Sequence, residues 1–356
     1  MIYFDQSATS YPKLDCVKEA VQASFQIPGN ANRSINIDMS RNIHRARKTI
    51  QTFFNCDHVI FNSGCTESLN TVIFGLCKPE DHVITTYAEH NSVLRPLYAS
   101  KVNVSIVEHN QILESIQENT KMIVLSQCSN VTGEIYPLKE IGQYAKNHNI
   151  ILVVDAAQSA GHIPIDMKEE NIDILCFSGH KGLQGLSGIG GICINGEFDI
   201  KPLKYGGTGM DSYNENMPIS YPEHLEAGTL NMPGIESLRA GIQYISNHFQ
   251  EIQEKEHELL EYTYHQLKQL PISLYNEPDI PIFIIGIKNM DASKLSDILY
   301  SKYHIIVRTG AHCAPLMMKH LGLESVVRIS LSHMNTKEEV DVLIQALKEI
   351  IEEYDY

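Results

Sequence analysis

Short apolar runs alternate with amphipathic stretches through the first half of the chain. The apolar runs predict β-strands. Several of them lack the in–out alternation of a half-buried strand, which is typical of strands covered on both faces of a parallel sheet. The predicted strands cover residues 58–61, 82–86, 102–107, 122–126, 150–155 and 172–178. Helical periodicity between them, in segments that start near Thr66 and at Pro137, indicates an α/β doubly wound domain.

The pattern changes after Gly234. Apolar residues at helical spacing then mark one face of a long helix: Ile242, Ile245, Phe249, Ile252, Leu259, Leu260, Leu267 and Leu270. Strand-like runs follow at residues 280–287, 304–308 and 326–331. A final helix is predicted from residue 337, where Thr336 and Glu339 form a capping-box pattern.

This change of pattern predicts two domains. The large domain is expected over residues 12–240. The smaller α+β domain is expected over residues 241–356, together with the N-terminal segment 1–11. A chain of 356 residues is long enough to support both cores.

Composition narrows the functional classes. The formal net charge of −15 disfavours binding to nucleic acid or anionic lipid. No apolar run reaches the roughly 18 residues that span a bilayer, and the N-terminus lacks a signal-peptide pattern. We therefore expect a cytoplasmic protein with no membrane partner. The eight cysteines show no paired metal spacing, so reduced thiols and no metal site are expected.

Two polar residues follow predicted strands. Asp155 ends the run at 150–155, and Lys181 follows the run at 172–178. In open α/β sheets, ligands bind at the carboxyl ends of strands, so these side chains could share one crevice. Pyridoxal phosphate (PLP) needs such a lysine for covalent attachment and a carboxylate beside its pyridine nitrogen. Taken alone, Lys181 could be a surface lysine on a loop, and Asp155 could be an aspartate that caps a turn.

The stretch N-S-G-C-T-E predicts a phosphate cradle. Gly64 permits a close approach, and the amides of Cys65 and Thr66 would lie at the positive end of a helix dipole, a favourable place for a dianion. Ser178 and His180, close to Lys181 in the motif S-G-H-K, could donate to the phosphate from the other side.

A second cluster surrounds one cysteine. Cys313 lies in a predicted loop after a strand, next to His312 and near Arg308. Positive charge near a thiol favours the thiolate, which is the nucleophilic form. Arg328, in the next predicted strand, could clamp the carboxylate of an amino acid. His90 follows the strand at 82–86 and could stack on a cofactor ring, or could simply be a polar loop residue.

Together these motifs resemble the cysteine desulfurase and selenocysteine lyase branch of the class V PLP enzymes. The resemblance covers nearly the whole chain and rests on motifs in a fixed order: Y-F-D-Q-S-A-T, N-S-G-C-T-E, A-E-H, S-N-V-T-G, D-A-A-Q, S-G-H-K, E-A-G-T-L-N, R-T-G-A-H-C-A and V-R-I-S-L-S-H-M-N-T. It implies a fold-type I PLP-dependent transferase. Its large domain would hold a mainly parallel seven-stranded sheet, followed by a smaller C-terminal α+β domain.

The resemblance also implies roles around the cofactor. Lys181 would hold PLP as a Schiff base and then shuttle the substrate proton. Asp155 would pair with the pyridine nitrogen, Gln158 would bind the ring hydroxyl, and His90 would stack on the ring and assist proton transfer. The phosphate-binding residues would be Cys65, Thr66, Ser178, His180 and, reaching into the neighbouring subunit of a homodimer, Thr229.

The implied reaction converts L-cysteine to L-alanine. Asn130 and Arg328, with Arg308 beside them, would bind the substrate, and Cys313 would attack its sulfur to form a persulfide. The loop that carries Cys313 is short, which suggests that a sulfur-acceptor protein docks near the site. Ala311 and Asn91 depart from a family pattern in which histidines are common.

Three alternatives remain open on sequence alone. The same scaffold could serve as a selenocysteine lyase, for which the cysteine matters less. Another class V reaction, such as transamination, would need Lys181 and Asp155 but not Cys313. The third alternative is a non-catalytic scaffold that binds a partner.

Overall fold

The computed structural model describes residues 1–28 and 37–354. Residues 29–36 and 355–356, which fall within the predicted domain ranges, lie outside the described residues. The strands are β1 (Ile2–Tyr3), β2 (His58–Asn62), β3 (His82–Thr86), β4 (Asn103–Val107), β5 (Thr120–Ser126), β6 (Ile151–Asp155), β7 (Ile174–Ser178), β8 (Gly190–Ile194), β9 (Ser273–Leu274), β10 (Ile282–Gly286), β11 (Ile305–Ile306), β12 (Arg308–Gly310) and β13 (Val326–Ser330). The α-helices are α1 (Asp15–Ser24), α2 (Ile37–Phe54), α3 (Cys65–Leu76), α4 (Asn91–Ser100), α5 (Lys139–Asn147), α6 (Met232–Lys268), α7 (Ala292–Tyr303), α8 (Pro315–His320) and α9 (Lys337–Tyr354).

These elements form two compact units. The larger unit comprises Lys13–Gln127 and Tyr136–Asn247. The smaller unit comprises Met1–Pro12, Cys128–Ile135 and the chain from His248 onward. The division predicted at residues 240 and 241 falls inside α6, where the backbone stays helical, whereas the non-helical residue of α6 is His248. The short Cys128–Ile135 segment returns to the smaller unit, which no pattern in the sequence indicated.

The larger unit contains a seven-stranded sheet in the order β2-β8-β7-β6-β5-β3-β4. Strands β7, β6, β5, β3 and β4 pair in parallel, and β8 runs antiparallel to both β7 and β2. The predicted α/β fold with a mainly parallel seven-stranded sheet is therefore confirmed. Strands β3, β7 and β8 are buried along their whole length, as expected for strands covered on both faces.

Within this seven-stranded sheet, β8 is the strand that the apolar pattern did not predict. It begins with Gly190 and Gly191, which interrupt any apolar run. Both glycines are required by packing, since a Cβ at Gly190 would lie 2.4 Å from the Phe177 carbonyl oxygen and one at Gly191 would lie 2.3 Å from the Ile60 carbonyl oxygen. Glycine thus allows the backbones to approach closely and also hides the strand from pattern analysis.

The smaller unit contains a four-stranded sheet in the order β12-β13-β10-β9 and a parallel pair formed by β1 and β11. The run at 304–308, predicted as one strand, is divided between β11 and β12. Its core combines α6, α7 and α9 with the sheet: Leu267, Phe283, Ile285, Leu295, Leu299, Val327, Ile329, Leu343 and Leu347. Among the described helices, none is both long and apolar enough to cross a membrane.

Helix α9 begins as the sequence predicts. The Thr336 amide donates to Glu339 Oε2 at 3.2 Å, and the Glu339 amide donates to Thr336 Oγ1 at 3.3 Å. This reciprocal pair satisfies two amides that have no partner within the helix, so the capping box is confirmed. The helix predicted from Pro137 begins two residues later, at Lys139.

Candidate functional site

The carboxyl ends of β2, β6 and β7 carry predicted cofactor residues. Asp155 is the last residue of β6, Ser178 is the last residue of β7, and Lys181 follows in the next turn. Strand β2 runs parallel to β7, because both are antiparallel to β8, so the loop from β2 into α3 emerges at the same edge. This is the edge at which ligands bind in open α/β sheets.

Asp155 is a buried carboxylate, 5% exposed, that is held by two donors. Its Oδ1 accepts from the Ala157 amide at 2.8 Å and from Cys65 Sγ at 3.2 Å. Burial, and next the charge of Asp155, raise the pKa of the Cys65 thiol well above its usual value, while Lys181 opposes this shift. Cys65 is therefore a neutral S–H donor, and the charges of Asp155 and Lys181 act on its pKa in opposite directions.

The start of α3 forms the predicted phosphate cradle. Gly64 has a φ of +144°, a conformation that favours glycine, and directly precedes the helix. The Cys65 amide donates to Ser178 Oγ at 3.3 Å, which joins the helix N-terminus to the end of β7. Thr66 lies in the first turn, where the helix dipole favours an anion.

His90 is the N-cap of α4, and its protonation pattern follows from its contacts. Nδ1 accepts from the Ser92 amide at 3.0 Å and lies 2.8 Å from Ser92 Oγ. Because a backbone amide can only donate, Nδ1 carries no proton and the neutral ring bears its proton on Nε2. Ser92 Oγ also lies 2.8 Å from Thr66 Oγ1, so one hydroxyl connects His90 with the phosphate cradle.

His180 and Lys13 lie beside Lys181. The Lys13 ammonium donates to the His180 carbonyl oxygen at 3.2 Å. Burial, together with the charges of Lys181 and Lys13, lowers the pKa of His180 to about 4, and burial lowers the pKa of Lys13 to about 8. His180 is therefore neutral near pH 7, so it can offer phosphate a hydrogen bond but no positive charge.

Glu89 is a buried carboxylate that the sequence analysis did not single out. It is fully buried and accepts from Thr86 Oγ1 at 2.7 Å, from the Ser126 amide at 3.0 Å and from Ser126 Oγ at 2.9 Å. Burial, to which the charge of Asp155 adds, raises the pKa of Glu89 to about 7. The sequence signal for Glu89 was its position directly before His90. Ser92, which contacts His90, was missed as well, and its signal was its position two residues after that histidine.

Two further predicted cofactor residues also lie in the larger unit. Gln158 is buried just beyond β6. Thr229 is exposed and lines a cavity of about 170 Å³ together with Ser63, Glu67 and Lys204, the last two of which form an ion pair at 2.5 Å.

In the smaller unit, Arg328 is almost completely buried, with 1% of its surface exposed. Its Nη2 donates to Asp5 Oδ1 at 2.8 Å, and its Nη1 donates to the Asn130 carbonyl oxygen at 2.9 Å. Its Nε is buried without a partner among the described residues. Arg308 lies directly opposite Arg328 in the β12–β13 register. Asp5 therefore compensates only part of the positive charge of Arg308 and Arg328. The remaining charge is suited to binding an anion. Sequence reasoning missed Asp5, although the motif Y-F-D-Q-S-A-T contains it.

Cys313 is exposed and lies in a loop that the structure ties to Asn130. Asn130 Nδ2 donates to the His312 carbonyl oxygen at 2.8 Å. Burial, then the charges of Arg328 and Arg308, lower the pKa of His312 to about 3. The expectation that His312 supplies positive charge to the thiol is therefore wrong, because a ring that is only 3% exposed stays neutral near pH 7. Arg308, five residues before Cys313, is the nearby residue in sequence that can supply positive charge to this loop.

The residues of the larger unit fit PLP in their chemistry. A lysine, a buried carboxylate and a helix N-terminus with hydroxyl groups lie at one edge of the sheet, which matches the aldehyde, pyridine nitrogen and phosphate of that cofactor. Among the described residues, no group of three or more histidine, cysteine or acidic side chains is arranged to bind a metal ion.

Comparison with known proteins identifies the family. The family model described as aminotransferase class-V matches residues 2–343. The chain belongs to the class-V aminotransferase family. Similar members include the probable cysteine desulfurase of Pyrococcus abyssi, 32% identical over 99% of this chain and 94% of that protein, and that of Mycoplasma genitalium, 34% identical over 98% and 91%.

Solved structures of two cysteine desulfurases share the fold. The apo cysteine desulfurase from Thermococcus onnurineus NA1 matches with a TM-score of 0.90 and 30% identity over 99% of this chain and 94% of that one. The cysteine desulfurase CsdA from Escherichia coli, in an S-sulfonic acid form, matches with a TM-score of 0.86 and 26% identity over 98% and 94%. The resemblance stated from the motifs is therefore confirmed.

Proposed function

We propose that this class-V protein is a PLP-dependent cysteine desulfurase that converts L-cysteine to L-alanine and leaves a persulfide on Cys313. The observation that carries the proposal is the pairing, within one compact unit, of an exposed thiol loop with a buried arginine, Arg328. The relatives named cysteine desulfurases, similar over nearly the whole chain, support it. A transaminase would need no such thiol.

The larger unit would bind the cofactor. PLP, when bound, supplies an electron sink that makes the substrate α-proton removable. Lys181 would hold PLP covalently and carry the α-proton. Asp155, whose Oδ1 is fixed by Cys65 and Ala157, would keep the pyridine nitrogen protonated. The remaining roles would fall to His90 at the ring face, Gln158 at the ring hydroxyl, and Cys65, Thr66, Ser178, His180 and Thr229 at the phosphate.

The smaller unit would bind and cleave the substrate. Arg328, with Arg308 and Asn130, would hold the L-cysteine carboxylate through charge-assisted hydrogen bonds. The Cys313 thiolate would attack the substrate sulfur, forming an S–S bond as the substrate C–S bond breaks. The electron pair of that C–S bond stays with carbon, which then takes a proton, so L-alanine leaves and Cys313 keeps the transferred sulfur.

A homodimer in which Thr229 reaches the phosphate of the partner is consistent with the exposure of Thr229. The exposed loop at Cys313 would present the persulfide to a sulfur-acceptor protein. A cytoplasmic location, with no nucleic-acid or membrane partner, accords with the acidic charge of the chain.

Alanine release tests the reaction. The PLP-loaded protein is incubated with L-cysteine and a thiol reductant, without any keto acid, and alanine and sulfide are measured. Equal amounts of both from wild type, with loss of desulfuration in Cys313→Ala and in Lys181→Ala, are expected. Alanine formation that requires a keto acid would indicate transamination. Full activity of Cys313→Ala on L-selenocysteine, without activity on L-cysteine in wild type, would indicate a selenocysteine lyase.

A further inference from the structure

The backbone at Cys313 has a conformation that residues other than glycine rarely adopt. His312 has a φ of +49° and Cys313 a φ of +57°, and both follow closely on Gly310 at +108°. Two successive left-handed residues with side chains are costly and persist only where surrounding contacts hold them. The contacts of the peptide group between His312 and Cys313 are therefore informative.

That peptide group is held by the side chain of Asn130. Asn130 Nδ2 donates to the His312 carbonyl oxygen at 2.8 Å, and Asn130 and His312 are both buried. Because this carbonyl belongs to the peptide bond that ends at the Cys313 nitrogen, the hydrogen bond fixes the plane from which Cys313 projects. The Ala314 amide donates to the Ala311 carbonyl oxygen at 2.9 Å and closes the same turn.

Asn130 is itself held in a compact turn. Ser129 Oγ accepts from the amides of Val131 and Thr132 at 3.2 and 3.1 Å. The Asn130 carbonyl oxygen accepts from Arg328 Nη1 at 2.9 Å. A continuous chain of buried hydrogen bonds therefore leads from the guanidinium of Arg328, through Asn130, to the peptide group before Cys313.

We propose that Asn130 is a positioning residue for Cys313, which holds the left-handed turn and couples it to Arg328. This role is distinct from the contact with the substrate carboxylate predicted for Asn130. An amide nitrogen has two hydrogens, so one can hold the turn while the other remains available. The consequence for sulfur transfer rests on the proposed function, whereas the effect on the turn does not.

Hydrogen exchange at the Ala314 amide tests the positioning role directly. The PLP-loaded wild type is compared with Asn130→Asp, which removes the donor at nearly constant size, and with Asn130→Ala. The matched control is Asn276→Asp, because Asn276 Nδ2 donates to the Thr132 carbonyl oxygen at 2.7 Å and so supports the same turn as Asn130 without contacting the Cys313 loop. Loss of one net hydrogen bond predicts roughly two- to tenfold faster exchange in both Asn130 variants, and wild-type exchange in the control.

Sulfur transfer supplies the second readout. At saturating L-cysteine, which removes any effect on affinity, persulfide formation on Cys313 is expected to fall about tenfold or more in both Asn130 variants, since misplacement by about 1 Å can cost that much. Unchanged Ala314 exchange in both variants would overturn the proposal, as would a defect that saturating substrate removes. If wild type itself forms no persulfide, the proposed function fails, and the exchange comparison still decides whether Asn130 holds the turn.

Discussion

Removal of the Asp5 carboxylate should expose how much the smaller unit depends on charge compensation. Arg328 is buried with only 1% of its side chain exposed, and its ion pair with Asp5 spans 2.8 Å. Arg308 lies opposite Arg328, and like charges at facing positions repel, so the Asp5 carboxylate offsets part of a concentrated positive charge. Asp5→Ala leaves the guanidinium buried without a counter-charge.

The expected loss follows from burial. Breaking a fully buried ion pair by removing one partner costs about 3–5 kcal/mol, because the remaining charge is stranded. The side chain of Asp5 is 16% exposed, so water can partly replace it, and the expected loss for Asp5→Ala is about 3 kcal/mol. Asp5→Asn keeps an acceptor for Arg328 and loses only the charge, so about 1.5 kcal/mol is expected.

Urea unfolding followed by circular dichroism measures these differences. Glu169→Ala is the matched control, because the Glu169–Lys139 pair spans 3.4 Å with side chains 68% and 75% exposed. Such a surface pair contributes at most about 1 kcal/mol, so the control should stay near wild type. If Asp5→Ala unfolds at the same urea concentration as the control, the stranded-charge reasoning is wrong.

Three further predictions concern the buried titrating groups Glu89 and His312 and the hydrogen bond from Cys65 to Asp155. The pKa of Glu89 is raised by burial to about 7 from 4.5, so the native state keeps a proton that the unfolded state loses, and stability should fall by about 2.5 kcal/mol between pH 5 and pH 8. Glu89→Gln should abolish that fall in urea titrations, and an unchanged pH profile would refute it. The pKa of His312 is lowered by burial to about 3 from 6.5, so between pH 6 and pH 4 only the unfolded state takes up a proton. Wild type should therefore lose about 2.5 kcal/mol of stability over this range, and His312→Gln should not show that loss. Equal acid sensitivity of the two proteins would argue against a neutral buried ring. Cys65→Ala should weaken PLP binding roughly two- to tenfold by equilibrium dialysis, whereas Cys65→Ser should bind like wild type because it keeps a donor to Asp155; equal weakening of both would exclude the donor role.

Much of the larger unit was predictable because its strands are continuous apolar runs. The run at 82–86 appears as β3 with the same bounds, and the run at 172–178 contains β7. Strand ends then identified Asp155 and Lys181, since ligands gather at one edge of such a sheet. Strand β8 escaped because its glycines serve close backbone packing, which no periodicity reveals.

The smaller unit was less predictable because its site depends on contacts between distant segments. Asp5 and Arg328 are separated by 323 residues, and Asn130 and His312 by 182. Only the folded chain brings a short returning segment, Cys128–Ile135, into this unit. The neutrality of His312 also depends on burial, which residue type and spacing do not determine. Family motifs predicted the candidate site residues of this unit, but not the hydrogen bonds that connect their side chains.

Mass spectrometry of the protein after exposure to L-cysteine tests the central claim most directly. The PLP-loaded protein is treated with L-cysteine, trapped with an alkylating reagent without reductant, and digested. The peptide carrying Cys313 is expected to gain one sulfur atom in wild type and none in Lys181→Ala. Alanine release with no added sulfur on Cys313, or added sulfur on another cysteine in its place, would contradict the central claim.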